Sequence, residues 1–469
     1  LAHDQDPFSP QSVNTLRLLD SFDEFEIIND PNLPEQGVIP IVMRLHRDEA
    51  PIIAPYAIPL TRASIDVFTE RYGFELREPV VIEMYPDHED FAVRTAGMPG
   101  IGILGATFGY VVAMDSPSSR PSSEFQWGTT LWHEMAHVFT LEATGHLVPR
   151  WFSEGVSVFE EWESGPTPGV RIPMSVYSAM NEDKFLPVAE LDEGFIRPTY
   201  EQQVIVSYMQ AGLICQFIDK EMGPGKLRDL LAAFGDGLLT ADAIVQVFDM
   251  STEAFDRQFD AFVEAEHGAV LHQLDDWHRT QTSVGQKIAE QDWQGIVELA
   301  KSQIAMMPRY TEPDSPYIAL ARAYEELGQR DDAVRTLEEF ARRGGYDPAA
   351  LKRLSAWLDE DGHTADAADV LRTVNLVDPL DPEVHGMLGD LLLKSGQPEQ
   401  ALTEFEVALA QDPHDKATAY FRLATAHQGL GDLDASRARL LDALDIAPNY
   451  RPAQRLLLEL ARGDSNKQN

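Results

Sequence analysis

The sequence has little cysteine, few basic residues and no long apolar run, and each shortage excludes a class of protein. Its single cysteine, Cys215, excludes an internal disulfide and a cysteine-based zinc cluster, and its apolar helical surroundings predict a small core residue. Acidic residues outnumber basic ones 77 to 37, and the formal net charge of −40 argues against binding nucleic acid or an anionic membrane surface. The best candidate for a membrane span, residues 101–114, is too short and is interrupted by glycines.

The composition that remains is that of a globular protein. Hydrophobic residues make up 44% and charged residues 24% of the 469 positions, and this length predicts two or three domains. Solubility or a salty environment explains the acidity. The sequence does not begin with Met. Removal of a signal peptide would explain this and would place the protein in a bacterial periplasm or outside the cell. The alternative is that the first residue was chosen when the protein was designed for expression.

Apolar patterning divides the first 270 residues into a mixed part and a helical part. Runs rich in β-branched and aromatic residues predict strands at 25–28, 38–42, 80–85 and 105–114. Helical spacing predicts helices at 60–72, 88–96, 204–222, 226–234 and 252–266. We therefore expect an α+β lobe over about 1–145, followed by a helical lobe over about 146–270.

The most informative stretch is His133-Glu134-Met135-Ala136-His137, which reads H-E-x-x-H within a helical pattern. Histidines four residues apart lie on one side of a helix, so both imidazoles can reach one metal ion. Glu134 lies on the neighbouring flank, where its carboxylate can take a proton from the attacking water. Such a short pattern also arises by chance, so the surrounding sequence must decide.

The pattern lies on a helix with recognisable ends. Ser123 and Gln126 have the spacing of a capping box, which predicts a helix start there, and Gly145 predicts its end. A catalytic zinc needs a third protein ligand beyond the two histidines. The helix therefore directs the search for that ligand to the residues that follow it.

The segment Trp151-Phe152-Ser153-Glu154-Gly155 supplies a candidate. Together with the H-E-x-x-H pattern it resembles the gluzincin metallopeptidases, whose third ligand is the Glu of a W-x-x-E-G segment opening the next helix. The resemblance implies that His133, His137 and Glu154 hold one Zn²⁺, with Glu134 as general base; Glu154 lies 17 residues after His137. A Glu at the start of a helix is also common without a metal, because its negative charge interacts favourably with the helix dipole.

The same resemblance implies one further site residue, and helical spacing offers another candidate. Tyr208 lies 54 residues after Glu154 in a segment similar to the Tyr-containing helix start of the aminopeptidase N and peptidase MA-like types, where the tyrosine stabilises the oxyanion. Tyr200 is a competitor, and a packed core tyrosine is the alternative. Glu161 lies two helical turns after Glu154 on the same face, where it would orient a metal histidine or face solvent.

The sequence before the H-E-x-x-H helix bears on specificity. By the gluzincin resemblance, the strand at 110–114 matches the edge strand, which would bind an extended peptide through backbone pairing. Aminopeptidases of this clan carry a G-x-M-E-N segment whose Glu binds the substrate amine. The comparable residues here, 105–109, contain no acidic residue, so we do not expect aminopeptidase specificity.

Beyond residue 285 the sequence is repetitive. Glycines recur at steps of 34, 34 and 35 between helix-length amphipathic segments, at Gly328, Gly362, Gly396 and Gly431. A small residue follows each glycine at a fixed place, at Ala333, Ala367, Ala401 and Ser436, and three units close with proline, at Pro379, Pro413 and Pro448. This pattern resembles tetratricopeptide repeats, which implies a superhelix with a concave protein-binding face. Residues 293–308 are the second helix of a further, degenerate unit.

The predicted architecture is an α+β thermolysin-like zincin domain at 1–270, an all-α tetratricopeptide superhelix at 285–462 and a polar tail at 463–469. The predicted function is zinc-dependent hydrolysis of peptide bonds, with repeats that bind a protein substrate or partner. Two alternatives stay open. One is a catalytically idle, peptidase-like scaffold acting through its repeats, and the other is a zinc hydrolase acting on something other than peptides.

Overall fold

A computed structural model describes residues 9–30, 39–121, 125–167 and 171–467. The chain separates into two compact units, comprising the described residues of 1–46, 57–120 and 126–345 in the first, and of 47–56, 121–125 and 346–469 in the second. The boundary at 270–285 between the predicted domains stays a prediction. No helix among the described residues is long and apolar enough to cross a membrane.

The N-terminal part contains a mixed sheet of five strands. The strands are β1 (Phe25–Asn29), β2 (Ile41–His46), β3 (Val80–Tyr85), β4 (Gly105–Phe108) and β5 (Val111–Asp115). The order is β1-β2-β3-β5-β4, with β2, β3 and β5 parallel and the two outer pairs antiparallel. Alternate residues of β2 and most residues of β3 are buried, as a sheet with covered faces requires. The helices of this part are α1 (Pro10–Ser21), α2 (Ala50–Tyr72) and α3 (His88–Ala96).

Two predictions in this part need correction. Residues 105–114 form a hairpin rather than one strand, because the chain reverses at Gly109, whose φ is 62°. As a result β5 lies inside the sheet and β4 forms its edge, so the prediction that 110–114 is the edge strand is wrong. The helix predicted from residue 60 begins at Ala50. Pro55 and Pro59 lack the N–H of a helix interior and so indicated a break, but the helix continues through both.

The remaining first unit is helical, as predicted. Its helices are α4 (Trp127–Thr144), α5 (Arg150–Glu163), α6 (Met174–Asn181), α7 (Leu191–Ile196), α8 (Gln203–Phe217), α9 (Gly225–Gly235), α10 (Thr240–Phe248), α11 (Thr252–Leu271), α12 (Leu274–Glu290), α13 (Trp293–Met306), α14 (Pro316–Glu326) and α15 (Arg330–Arg342). A π-helical turn, Ile218–Met222, extends α8. Cys215 on α8 is a fully buried core residue, as predicted.

Helix α4 carries the H-E-x-x-H pattern and packs against α5, β4 and β5. It begins at Trp127 and ends at Gly145, which adopts the left-handed conformation at a φ of 59°. The predicted end is confirmed. The predicted start is wrong, because Gln126 precedes the first helical residue and its side chain makes no capping hydrogen bond; Ser123 of the predicted capping box lies outside the described residues. Helices α5 and α8 cross closely at Gly155, where an added Cβ would lie 2.7 Å from the carbonyl oxygen of Ala211.

The second unit contains helices α16 (Pro348–Glu360), α17 (Thr364–Asn375), α18 (Pro382–Lys394), α19 (Pro398–Ala410), α20 (Lys416–Gly429), α21 (Leu433–Ile446) and α22 (Arg451–Lys467). All four predicted turn glycines along the repeats have positive φ, between 70° and 86°. The small residues that follow them are fully buried, at Ala333, Ala367, Ala401 and Ser436. The prediction of helical repeats with a glycine turn and a buried small residue is therefore confirmed.

Candidate metal centre

Three side chains from α4 and α5 bring their donor atoms together. The Nε2 atoms of His133 and His137 are 3.1 Å apart, and Oε2 of Glu154 lies 3.3 Å from the first and 3.1 Å from the second. A tetrahedral zinc ion with bonds of about 2.05 Å holds its ligand atoms about 3.3 Å from one another. Two imidazole nitrogens and one carboxylate oxygen at this spacing fit such an ion, and the structure contains no other comparable cluster among the described residues.

The positions of these residues follow from the local sequence. One turn of α4 separates the two histidines, so their rings point to the same side. Helix α5 begins after Pro149, and its first turn is capped by Asp192, whose Oδ1 accepts a hydrogen bond of 2.7 Å from the N–H of Trp151. That start places the Glu154 side chain opposite the histidines.

Each imidazole is oriented through its second nitrogen. Nδ1 of His133 lies 2.5 Å from Oε1 of Glu161, and Nδ1 of His137 lies 2.8 Å from Oγ of Ser153. Ser153 in turn lies 2.7 Å from the hydroxyl of Thr140. Such contacts fix the ring orientation and leave Nε2 for the metal. Glu161 was predicted as a candidate for this position, whereas no sequence pattern indicated Ser153 or Thr140.

The histidines and glutamates of the site shift one another's pKa values. Burial would lower the pKa of His133, but hydrogen bonds to Glu154 and Glu161 raise it well above its usual value. Burial would also raise the pKa of Glu154, but the charge of His137 and the hydrogen bonds from both rings hold it far below its usual value. Glu161 is fully enclosed, and burial raises the pKa of its carboxyl. The carboxylate ligand therefore stays ionised beside the two rings.

Glu134 lies beside these residues but points to the sheet. Its Oε2 accepts a hydrogen bond of 2.6 Å from the hydroxyl of Thr107 on the edge strand β4. Gly105 on the same strand has no room for a Cβ, because the Glu134 carboxyl occupies that space. No sequence pattern indicated Thr107. The edge strand thus holds the carboxylate that the H-E-x-x-H pattern marks as the candidate base.

Of the two tyrosines considered, Tyr208 reaches the site. Its hydroxyl donates a hydrogen bond of 3.1 Å to Oε1 of Glu154, and its ring packs edge-on against Phe195. Burial and then the Glu154 charge raise the pKa of Tyr208, so the phenol stays protonated at neutral pH. Tyr200 lies elsewhere, against the ammonium group of Lys184 at 5.0 Å. Arg150 approaches the same Glu154 oxygen at 3.4 Å from the outside.

Comparisons with known proteins cover both parts of the chain. Residues 119–265 match the sequence model of a family described as the Peptidase MA superfamily. Residues 314–358, 360–421 and 392–460 match models of tetratricopeptide repeats. A search of curated proteins found no match to the chain.

The similar solved structures include tetratricopeptide proteins. YrrB, described as having an unusual peptide-binding site, is 16% identical, with a TM-score of 0.31 over 38% of this chain and 89% of YrrB. A fragment of MamA from Desulfovibrio magneticus RS-1 is 27% identical, with a TM-score of 0.28 over 32% of this chain and 86% of the fragment.

Proposed function

Because the chain joins a Peptidase MA superfamily domain to tetratricopeptide repeats, we propose that it is a zinc-dependent metallopeptidase of the gluzincin type, with a thermolysin-like catalytic domain. One observation carries the proposal: the donor atoms of His133, His137 and Glu154 lie 3.1–3.3 Å apart. These three residues hold the zinc ion. When bound, zinc supplies Lewis acidity, which lowers the pKa of water and polarises a substrate carbonyl.

Glu134 moves the proton in this reaction. Its carboxylate takes a proton from the attacking water and gives it to the leaving amine of the cleaved peptide bond. The Thr107 hydroxyl, at 2.6 Å, holds one carboxylate oxygen and leaves the other free to accept that proton. Glu134 is only 5% exposed, so bulk water competes little for its charge. Position and burial both suit a general base.

Tyr208 stabilises the charge that develops on the substrate. Its hydroxyl lies at the ligand carboxylate of Glu154, within reach of a carbonyl oxygen bound beside it. When substrate enters, the hydroxyl exchanges its hydrogen bond to Glu154 for one to that oxygen. A donor placed at a developing oxyanion contributes about 2.7–4 kcal/mol to catalysis.

The substrate is an extended peptide lying along the edge strand β4. This strand is the edge of the sheet and carries Thr107, whose hydroxyl contacts Glu134, and strand addition to such an edge is a common mode of peptide binding. Exposed apolar side chains lie on this strand at Phe108 and directly before it in the chain at Ile103 and Leu104. The repeats contribute by binding a protein substrate or partner, which is what tetratricopeptide arrays commonly do.

Metal analysis and a peptide library test this proposal. We expect one zinc ion per chain in the purified protein and its loss in His137→Ala. Glu134→Gln should keep the zinc and lower the cleavage rate by at least a hundredfold, since it removes the base alone. Tyr200→Phe, which changes a tyrosine away from the site, is the control and should cleave normally.

The results also separate the alternatives. A native protein without metal would leave a scaffold that acts through its repeats. A zinc-loaded protein that cleaves no peptide would point to another substrate. Cleavage that is unchanged in Glu134→Gln would refute the assigned mechanism.

A further inference from the structure

A second cavity lies in the first compact unit, away from the metal centre. It has a volume of about 400 Å³. Its lining comes from the end of α5 and the segment after it, from α6, α8 and α11, from the segment before α14 and from the end of α15. Such a volume lies within the range of small-molecule sites. Trp162 at its wall follows Glu154 by eight residues on α5, which is about 12 Å along a helix. None of the three candidate metal ligands lines it.

The lining is cationic although the chain is strongly acidic. The cationic side chains at the cavity are Arg171, Lys220, Arg309, Arg342 and Arg343, against two carboxylates, Glu163 and Glu312. The chain as a whole has 77 acidic and 37 basic residues, so a local excess of cations runs against its composition. We call this site, with its neighbouring His267, the cationic cavity.

Three of the five cations have carboxylate partners. Lys220 lies 3.5 Å from Glu266, and both Arg342 and Arg343 pair with Glu339. Two carboxylates thus face three of the cations. Arg171 and Arg309 remain as the cations of the cavity that have no ion-pair partner among the described residues.

Arg171 and Arg309 make no ion pair with any residue that the structure describes. Arg171 is half-buried, and it donates one hydrogen bond of 2.8 Å to the carbonyl oxygen of Arg343 while its buried Nε has no partner. Burial lowers the pKa of Arg171; the Glu312 charge opposes this and the Arg309 charge adds to it. A guanidinium group is strongly hydrated or paired in most proteins, so a buried N–H donor without an acceptor is costly.

His267 adds a second buried nitrogen without a hydrogen-bond partner. Its side chain is 5% exposed, its Nε2 has no hydrogen-bond partner among the described residues, and its ring packs edge-on against Tyr177. Burial and the nearby Arg309 charge lower the pKa of His267 to about 4. At neutral pH it is therefore an uncharged imidazole that an anion would bring back toward its charged form.

We propose that the cationic cavity binds a small multivalent oxyanion, a phosphate-bearing or polycarboxylate molecule, between Arg171, Arg309 and His267. Such a ligand supplies acceptors to the orphaned Nε and Nε2 atoms and balances both guanidinium charges at once. Planar guanidinium groups match phosphate and carboxylate oxygens in two-point contacts. Trp162 and Tyr310 form aromatic walls against which the rest of the molecule packs. This site does not depend on the proposed peptidase activity.

Calorimetric titration of the full-length chain tests the proposal, with inorganic phosphate and citrate added at constant ionic strength in chloride. We expect saturable binding of at least one anion, with the dissociation constant raised at least tenfold in Arg309→Gln. Arg309 is exposed and makes no internal pairs, so this variant is expected to fold normally. Arg257→Gln removes the same charge from an exposed position on α11 outside the cavity, and it should bind as the unaltered protein does.

Each outcome has a meaning. Binding of phosphate alone assigns a phosphate-bearing ligand, and binding of citrate alone assigns a polycarboxylate. Absence of binding by both anions overturns the proposal, as does equal binding by Arg309→Gln and the unaltered protein, which would place the anion elsewhere.

Nuclear magnetic resonance locates the bound anion independently. The His267 ring signal, assigned through His267→Gln, should titrate at higher pH when the anion that binds is present at saturation. An anion that binds without moving this titration does not lie in the cationic cavity, and that result would overturn the placement.

Discussion

The metal centre and the cationic cavity lie in the same compact unit but differ in how far their polar groups already have hydrogen-bond partners. At the metal centre each of the three proposed ligands already has a hydrogen-bond partner: His133 has Glu161, His137 has Ser153 and Glu154 has Tyr208. One buried oxygen there, Oε2 of Glu161, has no partner among the described residues. In the cationic cavity, Arg171 and His267 each have a buried nitrogen without a hydrogen-bond partner among the described residues. The proposed metal ligands are therefore held in place before a metal binds, whereas the proposed anion would complete the second site.

The two sites also differ in how their residues are spread along the sequence. The proposed ligands of the metal centre come from two consecutive helices and span residues 133–154. The cationic cavity collects residues from 162 to 344, with no motif of fixed spacing among them. A site of the first kind leaves a pattern in the sequence, and a site of the second kind becomes visible only once distant segments pack together.

The largest expected effect is a loss of stability at low pH that arises from His267 in the cationic cavity. Its folded-state pKa of about 4 lies below the unfolded value of about 6.5, so the unfolded chain binds the extra proton first. The stability contributed by neutral His267 is complete above pH 6.5 and is lost as the pH falls from 6.5 to 4. The loss amounts to about 3 kcal/mol in the free energy of unfolding. Lys220 and Glu266 also act on this ring, with opposite signs.

Denaturant unfolding at pH 7 and pH 4 measures this loss. The difference between the two pH values should be about 3 kcal/mol smaller in His267→Gln than in the unaltered protein. His272→Gln, at an exposed position nearby on the chain, is the control for changes elsewhere, including acid release of metal. Equal pH dependence in both variants would mean that His267 is not held neutral, and the contrast between the two sites would weaken.

Sequence reasoning captured what depends on spacing. His133 and His137 lie at a helical interval, as do Glu154 and Glu161, and α4 and α5 are helices over those residues. Glu154 itself was predicted from the gluzincin resemblance. Thr107 could not be found in this way, because it reaches Glu134 only through the hairpin at Gly109 that makes β4 the edge strand. Sheet order is set by long-range pairing, which local patterns do not encode.

Turns were predicted well, whereas the starts of α2 and α4 were not. A glycine between two amphipathic segments reports a local backbone requirement, and all four repeat glycines have positive φ. The start of α2 was missed because Pro55 and Pro59 argue locally against a helix, while burial of Ile53 and Ala57 favours it. Tertiary packing prevailed over local propensity there.

The second prediction tests how far the metal centre depends on its orienting contacts. Glu161→Gln keeps an acceptor near Nδ1 of His133 but removes the charge that increases the basicity of the ring. We expect zinc affinity to fall by about 10–100-fold, which is typical for such partners. Competition with a chelator of known affinity measures it. Glu163→Gln makes the same change two residues further along the chain, at the cationic cavity, and is the control. Unchanged zinc affinity in both variants would show that the metal centre does not rely on Glu161.

The smallest expected effect concerns Thr107, a positioning residue for the proposed base. Thr107→Val keeps the shape of the side chain and removes the hydroxyl that donates to Glu134 at 2.6 Å. A hydrogen bond to a charged group contributes about 1.5 kcal/mol, so we expect kcat for peptide cleavage to fall roughly tenfold. KM and zinc content should stay the same, since Thr107 contacts neither the zinc ligands nor, through its hydroxyl, the substrate. Thr107→Ser keeps a hydroxyl at this position and should keep kcat near that of the unaltered protein. If the Val and Ser variants are equally slow, the strand shapes the site by packing alone. The metal centre is then less preorganised than its contacts indicate.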